Sequence, residues 1–154
     1  MPRRNGKGPK SWKGKRIYCI VAKHVVTPMG WHVDQPPGRL AAQAAHAVSK
    51  ARLAMARKQV DRLGSLGRLH DDEWWDSVSM PITTIVLGAR DIKELLHVEG
   101  LLYQVGIPVY LFYDTDQPDY GGEHVCVLTA LATEPVDEGE VAGILDYLPL
   151  WSPE

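Results

Sequence analysis

The sequence predicts an α/β fold of three layers, α/β/α, in which a mixed four-stranded sheet is covered by helices on both faces. Three observations carry that reading. Apolar runs rich in Ile, Val, Tyr and Leu alternate with stretches of helical periodicity in the order β-α-β-α-β-β-α. Two strand-helix-strand units imply right-handed parallel crossovers, and the short link between the third and fourth strands makes the fourth strand antiparallel. At 154 residues the chain has the length of one domain and can bury roughly 70% of its unfolded surface, so no disulfide staple is needed.

Residues 1–16 mix Gly, Pro and Lys without apolar periodicity and read as a flexible basic arm, leaving 17–154 as one domain. Residues 17–26 have the composition of a buried strand, and residues 27–37, with Pro28, Gly30, Pro36 and Pro37, that of a loop. A helix pattern runs from Gly38 to about Leu63. At about 100° per residue from Arg39, the residues Leu40, Ala44, Ala47, Val48, Ala51 and Met55 form one apolar face. Arg39, Gln43, His46, Lys50 and Arg57 form a polar stripe opposite, and Ala41, Ala42 and Ala45 suggest close approach of further backbone. An acidic and aromatic insert follows at about 65–81, then a strand at 82–87. Asp91 and Glu94 form a capping pattern ahead of a Leu-rich helix that Gly106 closes. Strands are expected at 109–113 and 124–131, and Asp137 with Glu140 repeats the capping pattern before a last helix reaching Leu148.

Composition excludes several classes of function. With 45% hydrophobic and 23% charged residues the chain is globular rather than disordered, and it has no apolar run long enough for a membrane span or a secretory signal. A cytoplasmic location is expected. Cys19 and Cys126 lie in strand-like runs without metal-ligand spacing and read as buried free thiols. The net charge of −2 conceals an asymmetry: residues 1–16 carry +7, residues 39–70 carry +6 and residues 71–154 carry −15. A polyanion is therefore expected to meet the arm and the first helix only.

Ligands of such sheets gather at the carboxyl ends of the parallel strands, which here carry residues 26–38, 87–90 and 114–123. The helix start at Gly38 presents backbone N–H groups and a positive dipole end beside Arg39, suited to a phosphate or an oxyanion. The same Pro-Pro-Gly-Arg run also reads as an ordinary helix start with a solvated arginine. Asp114 either faces that helix start or caps a turn, and His46 is either a packing residue or a catalytic group. Lys50 and Arg57 extend a ridge that either tracks a phosphate backbone or is the wet face of the helix. Trp74 and Trp75, flanked by acids, either stack on a base or pack the insert against the body.

The run from Gly38 to Ala47, Gly-Arg-Leu-Ala-Ala-Gln-Ala-Ala-His-Ala, resembles the signature of the type 2 peptidyl-tRNA hydrolases of archaea and eukaryotes. The likeness extends through Gly106-Ile107-Pro108-Val109, Asp114, Val127-Leu128 and Pro135-Val136-Asp137, and covers roughly residues 17–150. It implies hydrolysis of the ester bond of peptidyl-tRNA or a related acyl-tRNA, releasing free tRNA, with neither metal nor cofactor. Its partner would be tRNA, with a homodimer left open. Asp114, Arg39, Gln43 and His46 fall on the implied catalytic positions. Gly38, Lys50, Arg52, Arg57, Lys58 and Arg62 are the residues expected to meet tRNA. Two departures stand out: Arg39 replaces the family's Lys, and Asp114 is followed by Thr115-Asp116-Gln117-Pro118-Asp119, without the family's Thr-Gln pair. Guanidinium does not deprotonate in proteins, so Arg39 keeps the charge and gives up proton transfer. The turn resembles that of the divergent peptidyl-tRNA hydrolase domain-containing proteins. The alternative is an inactive or repurposed member that binds tRNA or protein.

Overall fold

The computed structural model describes residues 14–62, 82–115, 117–122 and 124–151. Strand β1 (Lys15–Val26) is followed by β2 (His32–Asp34), helix α1 (Pro37–Arg62), β3 (Thr83–Asp91) and α2 (Ile92–Gln104). The chain continues through β4 (Val109–Asp114), a 3₁₀ turn (Pro118–Tyr120), β5 (Val127–Thr133), β6 (Val136–Asp137) and the short α3 (Glu138–Val141).

The sheet is organised by β1. It pairs in parallel with β3 from Arg16 to His24 and antiparallel with β2, β5 and β6. Since β3 occupies one edge of β1 along that length, the other three share the opposite edge in succession. β4 completes the sheet antiparallel to β5, so β1, β3 and β4 all point the same way. The expected α/β layering and the antiparallel fourth long strand are present. The strand count is corrected from four to six, because two short pieces extend the β1 edge: β2, inside the expected loop, and β6, at the start of the last helical region.

Alternation along β1 serves both faces. Ile17, Cys19 and Val21 point to a core formed with Leu40, Ala44, Ala47, Ala51 and Met55 of α1 and Ala130 and Ala132 of β5. Tyr18, Ile20 and Ala22 point to the other core, with Leu95, Val98 and Leu102 of α2 and Leu131 of β5. A strand buried on both faces reads as a continuous apolar run, which is how residues 17–26 appeared in the sequence. Ala44, Ala47 and Ala51 facing Ala130 and Ala132 leave little side-chain bulk between α1 and the sheet. Ala41, Ala42 and Ala45, by contrast, are exposed, which corrects the expectation that they are covered by neighbouring backbone.

Both helix caps at acidic residues form. Asp91 accepts from Glu94 N at 2.9 Å, although the Glu94 carboxylate turns to Arg90, accepting from its backbone N at 3.0 Å. Asp137 and Glu140 make the reciprocal capping box. The last helix nevertheless ends at Val141, seven residues short of the expected Leu148, and turns follow. From there the chain returns to the outer edge of β3, where Trp151 N donates to Val86 O and Gly88 N donates to Pro149 O, each at 2.9 Å. This covers backbone groups that an edge strand would otherwise expose.

β1 begins at Lys15, two residues inside the segment expected to form the arm; residues 1–13 and the insert at 65–81, with Trp74 and Trp75, lie outside the described residues. Cys19 is buried beneath Ala44, and burial raises its thiol to about 12, leaving it unreactive at neutral pH. Cys126 lies exposed just before β5, not buried in a strand as expected. If the alanine seam sets the approach of α1, Ala47→Leu should destabilise the domain by about 1–3 kcal/mol through overpacking, read as a lower urea midpoint at unchanged m.

Candidate active site

Because β1 and β4 are parallel, their last residues, Val26 and Asp114, lie at the same end of the sheet. The segment after β1 is tied back by Gln35 N donating to Lys23 O at 2.8 Å, and α1 starts there. Gln35, Arg39 and Gln43 then follow at intervals of four residues and share one side of the helix start. Across from them stand Asp114 at the end of β4 and Asp119 and Tyr120 of the 3₁₀ turn. The register between β4 and β5 slips at Phe112 and Tyr113, just before Asp114, with Thr129 the extra residue on β5.

These six side chains form one hydrogen-bond network. Asp114 Oδ2 accepts from Gln43 Nε2 at 3.1 Å and from the Tyr120 hydroxyl at 2.8 Å, and Oδ1 accepts from Thr115 N at 3.0 Å. Gln35 Nε2 donates to the Tyr120 hydroxyl at 3.0 Å, while Gln35 Oε1 accepts from Gln43 at 3.4 Å and from Arg39 at 3.3 Å. Arg39 Nη1 also donates to Asp119 Oδ2 at 2.9 Å, and its guanidinium carbon lies 5.5 Å from the centroid of the Tyr120 ring. Gln35, Gln43 and Tyr120 are buried. Gln43 Oε1 and Asp119 Oδ1 are buried acceptors without a partner among the described residues.

The electrostatics follow from this packing. Burial, with the adjacent Asp114 carboxylate, pushes the Tyr120 hydroxyl up to about 12 against the opposing effect of Gln35, so it stays protonated and donates. Burial works against the charge on Arg39, but the Asp119 carboxylate outweighs it and holds the guanidinium above its ordinary value. A carboxylate has about four acceptor positions, so Asp114, with three donors, retains one for a further group. At the start of α1, Pro37 has no N–H and Leu40 N is taken by Pro36 O, leaving Gly38 N and Arg39 N without intrahelical partners.

The structure thus brings together Arg39, Gln43 and Asp114 beside the Gly38 helix start. It does not join His46 to the network: His46 is exposed and stacked on Phe112, with centroids 5.0 Å apart. The ridge residues are partly engaged elsewhere. Lys50 Nζ donates to the edge carbonyl Leu111 O at 2.7 Å, and Lys58 pairs with Glu134. Arg57 is exposed and Arg52 half-buried, while the Arg62 side chain lies outside the described residues. Of the three strand-end segments, the one at 87–90 contributes nothing to the network. Sequence reasoning missed Gln35, Asp119 and Tyr120. Gln35 had a signal in its spacing to Arg39 and Gln43, whereas Asp119 and Tyr120 had only their place in the strand-end segment 114–123, because they act across the fold on residues 80 and 85 positions away. A surface cavity of about 370 Å³ lies elsewhere, lined by Lys15, Gly106, Pro108, Glu134 and Glu140 among others, and includes none of these residues.

A two-sided sheet with an Asp at a parallel strand end, met by a Gln and a cation from the first helix, matches the resemblance read in the sequence. The chain belongs to the family Peptidyl-tRNA hydrolase PTH2, which it matches over residues 19–151. No curated protein matches the chain.

Removing the Tyr120 hydroxyl tests the network. Tyr120→Phe should cost about 1–3 kcal/mol at neutral pH, since Asp114 loses a buried donor. The folded-state pKa of Tyr120 is raised above 10, so its contribution is complete below pH 10 and is lost as pH rises to about 12. The stability gap between wild type and Tyr120→Phe, from urea titrations, should shrink across that interval.

Proposed function

We propose that the chain hydrolyses the ester joining a peptidyl or related acyl group to the 3′ end of tRNA, releasing free tRNA. The observation that carries this reading is Asp114: a partly exposed carboxylate at the end of β4 that Gln43, Tyr120 and Thr115 N hold in place while one acceptor position stays open. A fixed carboxylate with a spare acceptor position is what an attacking water requires. In this mechanism Asp114 orients and deprotonates the water, and the Gln43 amide positions Asp114. Tyr120 and Gln35 hold the two in place. Arg39, with Gly38 N and Arg39 N, faces the tetrahedral oxyanion or the terminal phosphate. His46 stands outside this scheme.

Asp114→Asn should lower the rate of peptide release from peptidyl-tRNA by about 10²–10⁴-fold with little change in KM. Equal turnover by the variant would remove Asp114 from the chemistry.

One observation favours a second reading, in which the fold binds tRNA without turnover. Arg39 is paired with Asp119 at 2.9 Å, and a substrate phosphate or oxyanion competes with that carboxylate for it. Asp119→Asn separates the readings. In a hydrolase whose substrate displaces Asp119, the variant should bind tRNA several-fold more tightly and retain turnover. A binding module should gain affinity and show none.

The tRNA body is expected along Lys50, Arg52, Arg57, Lys58 and Arg62 of α1, with the charge of +7 on residues 1–16 adding to the attraction. No helix among the described residues is long and apolar enough to cross a membrane. The cytoplasm, where tRNA is used in translation, is the location this reading proposes. Arg57→Ala should weaken tRNA binding and make the slope of log affinity against log salt shallower by about 0.7–0.9, the share of one phosphate contact.

A further inference from the structure

The loop between β1 and β2 places an aromatic ring beside the candidate site that the mechanism above does not use. Trp31 is held by Thr27 N donating to Trp31 O at 2.9 Å and by Trp31 N donating to Thr27 Oγ1 at 3.1 Å. Its indole lies on Gly121, the residue that follows Tyr120. A Cβ added to Gly121 would stand 3.0 Å from Trp31 Cδ2, 3.1 Å from Cε2 and 3.2 Å from Cε3. Cδ2 is a ring-fusion carbon with no hydrogen, so an approach closest to that atom comes over the face of the ring and not past its edge. One face of the indole is therefore seated on glycine backbone, which its φ of 91° further reserves for glycine. Half of the residue remains exposed. Burying an indole face on one side and presenting the rest to solvent costs apolar exposure, which Val26 and Met29 of the same hairpin add to.

We infer that Trp31 is the platform on which the 3′-terminal base of the acyl-tRNA stacks, so that the adenosine carrying the ester is held at the mouth of the Asp114 site. This rests on the proposed hydrolase reading. Three features select a nucleobase. The scissile ester sits on the terminal ribose, so its base is the nearest flat, neutral surface when the ester reaches Asp114. Trp31 seats on Gly121, while the neighbouring Tyr120 ring lies beneath the Arg39 guanidinium; a plane for a base and a cation for a phosphate thus stand one residue apart. Val26 and Met29, exposed on the same hairpin as Trp31, add apolar surface that a flat neutral base can cover and a phosphate cannot. Base–aromatic stacking is also tolerant of base identity, so no hydrogen-bonding partner for the base is required of the loop.

The experiment measures binding of a 5′-labelled RNA ending in CCA, and of the same RNA with an abasic terminal nucleotide, to the full chain, Trp31→Ala and Trp31→Phe. Wild type should lose about 5- to 150-fold in affinity when the terminal base is removed. Trp31→Ala should bind the intact RNA as weakly as wild type binds the abasic one and should no longer distinguish the two, while Trp31→Phe retains most of the discrimination. Thermal unfolding of each variant establishes that it is folded, and Trp31→Phe carries the comparison if the alanine variant is not. If Trp31→Ala discriminates as well as wild type, the platform is elsewhere and the hydrolase reading stands untouched. If Trp31→Ala keeps the discrimination for the base but loses preference among acyl groups in turnover, the indole serves the acyl chain and the inference falls. If wild type binds neither RNA, the hydrolase reading falls with it.

Discussion

The close approach of α1 to the sheet is the constraint on which the candidate site depends. Alanines on both surfaces, at 44, 47 and 51 on the helix and at 130 and 132 on β5, leave little side-chain bulk in this part of a core that they share with Ile17, Cys19 and Val21 of β1. A long side chain in that seam would push the helix away from the strands. Gln43 sits one residue before Ala44 at the edge of this seam and therefore reaches Asp114 with a short amide arm, buried as it does so. The packing that stabilises the domain and the geometry that assembles the site are the same contact.

The carboxylate of Asp114 is where the two halves of the site meet. A single oxygen, Oδ2, receives one donor from α1 and one from the 3₁₀ turn, so the turn is positioned through the side chain of the strand that precedes it. Tyr120 serves this junction because burial keeps its hydroxyl protonated far above neutral pH. Gln35 bridges the remaining groups, donating to Tyr120 and accepting from Arg39 and Gln43. The two departures from the family's pattern prove to be connected in space. Arg39, in place of lysine, pairs with Asp119, and Asp119 and Tyr120 belong to the turn that lacks the family's Thr-Gln. The larger, planar guanidinium fits this arrangement, since it donates to Asp119 and Gln35 and also lies over the Tyr120 ring.

Positive charge on α1 divides between structure and surface. Lys50 caps a carbonyl on the outer edge of β4, and Lys58 lies between Glu134 and the ring of Tyr110. These lysines fasten the far half of α1 to the last strands while keeping their charge near the surface. A helical wheel draws Lys50 and Arg57 as equals on one polar stripe; the strand edge beneath makes one of them a structural donor and leaves the other exposed.

Composition determined that residues 17–26 form a largely buried strand, helical periodicity that α1 carries its apolar stripe on Leu40, Ala44, Ala47, Ala51 and Met55, and capping patterns that Asp91 and Asp137 begin helices. These are local properties, set by spacing and by side chains that bond to backbone three residues away. The motif at 38–47 also marked Arg39, Gln43 and His46, and the strand end at 114 marked Asp114. Short elements were not legible: β2 and β6 are two or three residues long and exist because β1 offers an unpaired edge beside them, and α3 ends early because the chain must return to cover β3. Tertiary structure alone decided that Tyr120 and Asp119 complete the site and that His46 stands apart from it. Hydrogen bonds between residues 71 to 85 positions apart leave no period in a sequence, since the distance between their atoms is set by the packing of the sheet and not by the chain between them.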